Sequence, residues 1–117
     1  MPHTILTYGT LRPFTNTDVV KVPGKLYDLG WYPGIVLGNH ENPDEGDSFV
    51  TCERITVGDQ RLIELDRYEG YDPQFPESSL YLRKKIGEDF IYVYNLSAEG
   101  HDLIESGDWQ QHTLERA

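Results

Sequence analysis

Only one stretch of this chain carries a convincing helical period, and that narrows the folds open to it. In "GDQRLIELDRYEG" (58–70), Leu62, Ile63, Leu65 and Tyr68 recur on one side of a helix advancing about 100° per residue. Asp59 is the expected N-cap, and Gly70 suits the position just past the C-terminus. Everything else reads as strand or loop. Short β-rich runs stand at "TILTY" (4–8), "VVKVPGKLYDLG" (19–30), "YPGIVLG" (32–38) and "FVTCERITV" (49–57). Pro23-Gly24 puts a bend in the second of these. "SLYLRKKI" (79–86) and "DFIYVYNL" (89–96) straddle Gly87-Glu88, the signature of a hairpin. Their alternation sets Tyr81, Arg83 and Lys85 on one face, and Phe90, Tyr92, Tyr94 and Leu96 on one face of the partner strand. The polar "NHENPDEGDS" (39–48) reads as a surface loop, and its acids lack the alternate spacing of a calcium loop. The expected fold is α+β but mostly β, a small barrel or curved sheet with one main packed helix over about 58–70.

The chain of 117 residues suits a single domain, 1–117, and its eight Tyr, four Phe and two Trp supply bulky core formers. Residues 110–117 ("QQHTLERA") read as a frayed tail or a short helix, and Trp109 as an anchor for that end. Ten Lys and Arg against twenty Asp and Glu give a net charge of -10, which disfavours nucleic acid and anionic membranes as partners. Cys52 is the single cysteine, so no intrachain disulfide can form, and it reads as a core or wall residue. "MPHTILTYGT" has no charged lead or long apolar run, and no stretch approaches the length of a membrane span. A soluble, cytoplasmic protein is the expectation. The histidines at 3, 40, 101 and 112 have no ligand spacing, so no metal is expected.

The helix contains one oddity. With Leu62 at zero, Leu65 falls near -60° and Glu69 near -20°, close to the centre of the apolar arc. Asp66, near +40°, also leans inward. Either the helix frays at Gly70 and Glu69 reaches solvent, or a carboxyl group points at the core. In the second case desolvation and the negative end of the helix dipole would both raise its pKa, which suits a general acid/base.

"YGTLRP" offers a complementary feature: a strand ending in a tight turn where Gly9 lets a ligand approach the main chain. Backbone N–H groups in such turns can hold a carboxylate or an oxyanion. The ordered set "YGTLR", "GKLYDLGWYPG", "LDRYEG", "LYLRKK", "IYVYNL" and "IESGDW" resembles the γ-glutamylcyclotransferase-like family, in particular its compact γ-glutamylamine cyclotransferase and AIG2-like branch. The resemblance runs from Tyr8 to Trp109. It implies a small β-barrel with flanking helices and an enzyme that cleaves γ-glutamyl amides into 5-oxoproline and a free amine or amino acid. It also implies that Tyr8, Gly9, Thr10 and Leu11 bind the γ-glutamyl part and that Glu69 is the catalytic acid/base. Tyr81, in a "YxR" context with Arg83, matches a family tyrosine and is expected to line the cavity. Asp66 is expected to be structural.

Such a reaction needs no cofactor, because the small-molecule substrate carries both its nucleophile, the α-amine, and its electrophile, the γ-carbonyl. "PFTNTDVVKVPGKLY" (13–27) is shorter than the family's usual excursion, which trims one expected wall of the cavity. Two other readings follow from the same residues: a catalytically silent module holding an amino-acid-like ligand, and an interaction protein using exposed tyrosines.

Overall fold

The computed structural model describes residues 2–9, 11–13, 18–37 and 48–116, the side chains of 115 and 116 apart. Apolar alternation decides what each strand buries. In β1 (His3–Thr7) Ile5 and Leu6 point to opposite faces, yet both are buried. A central strand covered on both sides follows. The remaining elements are β2 (Val19–Asp28), β3 (Pro33–Leu37), β4 (Phe49–Val57), α1 (Asp59–Tyr68), β5 (Tyr81–Ile86), β6 (Asp89–Tyr94), β7 (Asp102–Ile104) and α2 (Trp109–Arg116). Strand order is β3-β2-β4-β1-β6-β5, with β7 on β2. Pairing is antiparallel except between β1 and β6. The loop expected at 39–48 lies, Ser48 apart, outside the described residues.

The bend expected at Pro23-Gly24 is a change of partners. Val19–Pro23 pairs with β4, while Gly24–Asp28 pairs with β3 on one side and its last residues with β7 on the other. One face of the curled sheet gathers Leu6, Val22, Leu26, Ile35, Val50, Cys52, Ile91 and Trp109. The other gathers Ile5, Tyr81 and Tyr92 under Leu62 and Leu65 of α1.

Of the expected barrel or curved sheet, the structure is a curled half-barrel, because β3 and β5 end the strand order without pairing to each other. Tyrosine side chains stand where closure would need backbone. Tyr81 Oη donates to the Pro33 carbonyl at 2.7 Å, and the Ile35 N–H donates to Tyr8 Oη at 3.4 Å. Tyr8 Oη donates in turn to the Tyr92 carbonyl at 2.5 Å. These bonds partner polar groups at the open edge, which would otherwise be costly to bury.

Two details of α1 differ from expectation. Gly58 is the N-cap, and Asp59 is the first helical residue, its carboxylate 2.5 Å from His3 Nε2 on β1. The buried stripe is also narrower: Leu62, Leu65 and Asp66 are covered, while Ile63 and Tyr68 are 47% and 66% exposed. Its centre is unchanged.

The chain's end is a helix rather than a tail. Asp108 starts it, accepting the Gln110 N–H at 3.0 Å, as an N-cap side chain does. Buried Trp109 and a 2.8 Å contact from His112 Nε2 to Asp28 Oδ2 hold α2 against β2 and the barrel interior. The sequence reading had no counterpart for β7, whose three residues are too few to show a period.

Arg12, directly after the glycine turn, is buried, and its Nε and Nη2 both lie 2.9 Å from Glu53 Oε1 on β4. Its Nη1 reaches Asp108 Oδ1 at 3.1 Å. Sheet, turn and α2 therefore meet on one guanidinium. Replacing Arg12 with Ala takes this partner from the buried Glu53 carboxylate and is expected to destabilise the fold by about 3–5 kcal/mol, measured by urea unfolding.

Candidate active site

The helix end decides whether Glu69 is fixed or frayed. Gly70 has φ +68°, the left-handed conformation that glycine adopts freely. The Gly70 N–H donates to the Arg67 carbonyl at 3.1 Å and the Tyr71 N–H to the Asp66 carbonyl at 2.8 Å. Those two bonds are the Schellman closure of a helix. Glu69, the C-cap, donates its own N–H to the Leu65 carbonyl at 2.9 Å. The last turn is locked, and the acid cannot swing away with it.

Glu69 borders a small cavity of about 30 Å³ together with Tyr8, Gly9, Leu11, Pro33 and Tyr81. The predicted residues at 8, 9, 11, 69 and 81 are thus brought together, whereas Thr10 lies outside the described residues. Gly9 is required here. A Cβ at that position would stand 2.6 Å from Pro33 Cγ and 2.7 Å from its Cδ, so a larger residue would push the turn off β3. The Arg12 N–H closes this turn on the Gly9 carbonyl at 3.0 Å.

The two inward acids of α1 differ in their partners. Asp66 accepts from Arg83 Nη1 and from Tyr92 Oη, both at 2.7 Å, the structural role expected of it. Arg83 in turn lies over the Phe90 ring at 4.9 Å. Glu69 has no such partner among the described residues, and burial alone pushes its carboxyl up to about 7. Burial likewise raises the Tyr8, Tyr81 and Tyr92 hydroxyls above their ordinary range, so they stay protonated near neutrality and act as donors. Their bonds to Tyr92, Pro33 and Asp66 leave chiefly ring surface facing the cavity. Cys52 is buried among apolar residues with its thiol pushed up to about 12, which suits a wall residue and not a nucleophile.

Sequence reasoning gave no role to Trp31, Tyr32, Pro33 or Tyr92. Tyr32 lies 6.4 Å from Tyr81, ring to ring, and borders both the small cavity and a wider outer chamber of about 360 Å³. Tyr32, Glu69 and Tyr81 are common to the two spaces, so the carboxyl stands at their junction. The available signal was the pair of aromatics before Pro33-Gly34 in "GWYPG", a turn otherwise costly to give to large apolar side chains.

A mostly-β half-barrel with a glutamic acid that has no side-chain partner among the described residues, beside an N-terminal glycine turn, defines a class, and comparison with known proteins names it. The family described as gamma-glutamyl cyclotransferase, AIG2-like, matches residues 5–111, and this chain belongs to that family. A Vibrio cholerae protein named "Putative gamma-glutamylcyclotransferase" is 31% identical over 95% of this chain and 98% of its own. The gamma-glutamylcyclotransferase family protein YtfP of Escherichia coli K12 is 33% identical over 73% of this chain and 66% of its own. The solution structure of E. coli YtfP superposes with a TM-score of 0.60 at 29% identity, covering 94% of this chain and 98% of that one. The crystal structure of Pyrococcus horikoshii PH0828 gives a TM-score of 0.66 at 18% identity over 97% and 95% of the two chains, a likeness of fold.

The raised carboxyl predicts a stability signature. Its folded-state pKa of about 7 lies above the ordinary 4.5, so the stability tied to its proton is complete below pH 4.5 and lost as pH rises through 7. Glu69→Gln removes the titration. The variant is expected to be more stable than wild type at pH 8, by about 2–3 kcal/mol, and equal to it at pH 4, as read from paired denaturant melts.

Proposed function

We propose that the protein is a γ-glutamylcyclotransferase acting on a γ-glutamyl amide, with Glu69 as its single acid/base. One observation carries this reading: a locked, half-buried carboxyl without a partner among the described residues, next to the Gly9 turn. The substrate's α-ammonium gives a proton to Glu69, and the freed amine attacks the γ-carbonyl carbon. A five-membered ring closes and the γ-oxygen takes negative charge. Glu69 then returns the proton to the departing nitrogen as the amide C–N bond breaks, and the ring nitrogen's remaining extra proton passes by way of the same carboxylate to the released amine, which leaves as an ammonium. The products are 5-oxoproline and a free amine; no water is consumed and no covalent enzyme intermediate forms.

Three physical effects support the step. A carboxyl near 7 is a closer match to an α-amine than an ordinary glutamate, which lessens the proton-transfer mismatch by about 3 kcal/mol. Main-chain N–H groups of the 9–11 turn would hold the α-carboxylate or the oxyanion. Tyrosine rings around the cavity would keep the substrate folded for ring closure, where well-oriented intramolecular reactions gain about 7–11 kcal/mol.

Two outcomes test this. Wild-type protein incubated with a γ-glutamyl alkylamide should release 5-oxoproline, and Glu69→Gln should lower the rate about 10²–10⁴-fold; equal turnover by the variant would end the assignment. Because the base must be ionised, kcat/KM should fall on the acid side with an inflection near pH 7, the free-enzyme value for Glu69. An inflection near pH 4.5 would contradict the buried site.

A further inference from the structure

None of the described residues of α2 borders the small cavity or the outer chamber, yet one of its side chains reaches the base of the turn that borders both. That turn joins β2 to β3 through residues 29–32 and runs on into Pro33. Tyr32 and Pro33 border the small cavity, beside Gly9, Glu69 and Tyr81. Trp31, at the tip, is 92% exposed, so its ring gives the turn little packing. Hydrogen bonds hold it instead. The Leu29 N–H donates to the Tyr32 carbonyl at 3.0 Å, and Gly30, at φ +116°, donates its N–H to Asp28 Oδ1 at 2.8 Å. A surface turn with so few packed contacts opens at low cost unless something anchors it.

The Asp28 carboxylate has two sides. Its Oδ1 takes the Gly30 N–H, and its Oδ2 lies 2.8 Å from His112 Nε2 on α2. Both side chains are largely shielded from water. His112 has a fixed seat of its own, its ring 5.7 Å from that of buried Trp109. In the β2–β3 ladder Asp28 stands opposite Pro33, and Pro33 is the wall residue with the tightest fit. Its ring occupies the space a Cβ on Gly9 would need, and its carbonyl accepts the Tyr81 hydroxyl at 2.7 Å. A shift at Asp28 therefore reaches the glycine turn and Tyr81 through a single strand pair.

Resting on the cyclotransferase reading, we propose that Asp28 and His112 are positioning residues for the site. α2, through His112, fixes the Asp28 carboxylate, and Asp28 holds the β2–β3 turn where Tyr32 and Pro33 keep the substrate folded for ring closure. Neither side chain touches substrate. Orientation of this kind is realised in the transition state more than in binding, so its loss falls on kcat. A pair that only pinned down the end of the chain would lower stability and leave the turnover of folded protein unchanged.

Turnover of a γ-glutamyl alkylamide, measured well below each variant's unfolding transition, separates the two. Asp28→Ala should lower kcat about ten- to hundredfold and change KM less than about twofold. Asp28→Asn, which keeps an oxygen for the Gly30 N–H and a polar group for His112, should recover most of that rate. His112→Ala should lower kcat about three- to tenfold in the wild-type background and add nothing to Asp28→Ala, because its effect passes through that carboxylate. The same factor in both backgrounds, or a lower melting temperature with kcat intact, would overturn the proposal and leave the cyclotransferase reading standing. Should Asp28→Ala not fold, His112→Gln carries the test: its amide nitrogen replaces Nε2 and should restore the rate that His112→Ala loses, and equal rates in the two would count against the pair. If wild-type protein releases no 5-oxoproline, the cyclotransferase reading falls and amide hydrogen exchange judges the tether. His112→Ala should then speed exchange at the Leu29 and Gly30 N–H groups; faster exchange confined to α2 overturns it.

Discussion

The architecture turns on a gap that is not closed by backbone. β3 and β5 end the strand order without pairing to each other, and the hydroxyls of Tyr8 and Tyr81 bond the Ile35 N–H and the Pro33 carbonyl of β3. A tyrosine side chain holds two backbones farther apart than a direct N–H···O=C bond between adjacent strands does, so the sheet stays open and a cavity remains between the rings. Direct pairing of β3 to β5 would put a backbone ladder where the tyrosine rings now border the space beside Glu69. The opening in the half-barrel and the site are one feature.

Within that opening, α1 presents two carboxyls three residues apart with opposite fates. Asp66 is enclosed by Arg83 and Tyr92 and ties the helix to the β5–β6 hairpin. Glu69 gains no comparable bond, and its neutral form is favoured by burial. The first carboxyl is tied to a guanidinium and a hydroxyl, and the second is held toward its protonated form. The arrangement is consistent with a functional site that is held at some expense of stability, a common trade. The Arg12–Glu53–Asp108 cluster performs a parallel service for the glycine turn, linking it to β4 and to the start of α2.

Much of this was visible in one dimension, for identifiable reasons. Strands β1 to β6 announce themselves through β-branched and aromatic alternation, and α1 through its period and Gly70. Glu69 could be placed on the helix's inward line because the stripe's centre does not depend on whether Ile63 and Tyr68 are truly covered. Those two residues were misjudged since hydrophobicity alone cannot say where a helix's neighbours stop. β7 was missed because a three-residue strand has no period, and α2 stayed ambiguous until Trp109 and His112 were seen to have partners. Trp31 and Tyr32 showed only as two aromatics in a turn: their relevance comes from bordering one space with Tyr68 and Tyr81, far along the chain.

The sequence by itself determined the class of fold, the family, the helix that carries the acid and the turn that faces it, since each rests on local spacing and residue type. Tertiary structure alone decided that the sheet stops as a half-barrel, that among the described residues Asp66 has side-chain partners while Glu69 has none, and that an aromatic chamber opens beyond the carboxyl. Those outcomes depend on distances between residues remote in the chain, and the energies of burial, pairing and proton binding are functions of such distances rather than of order along the backbone.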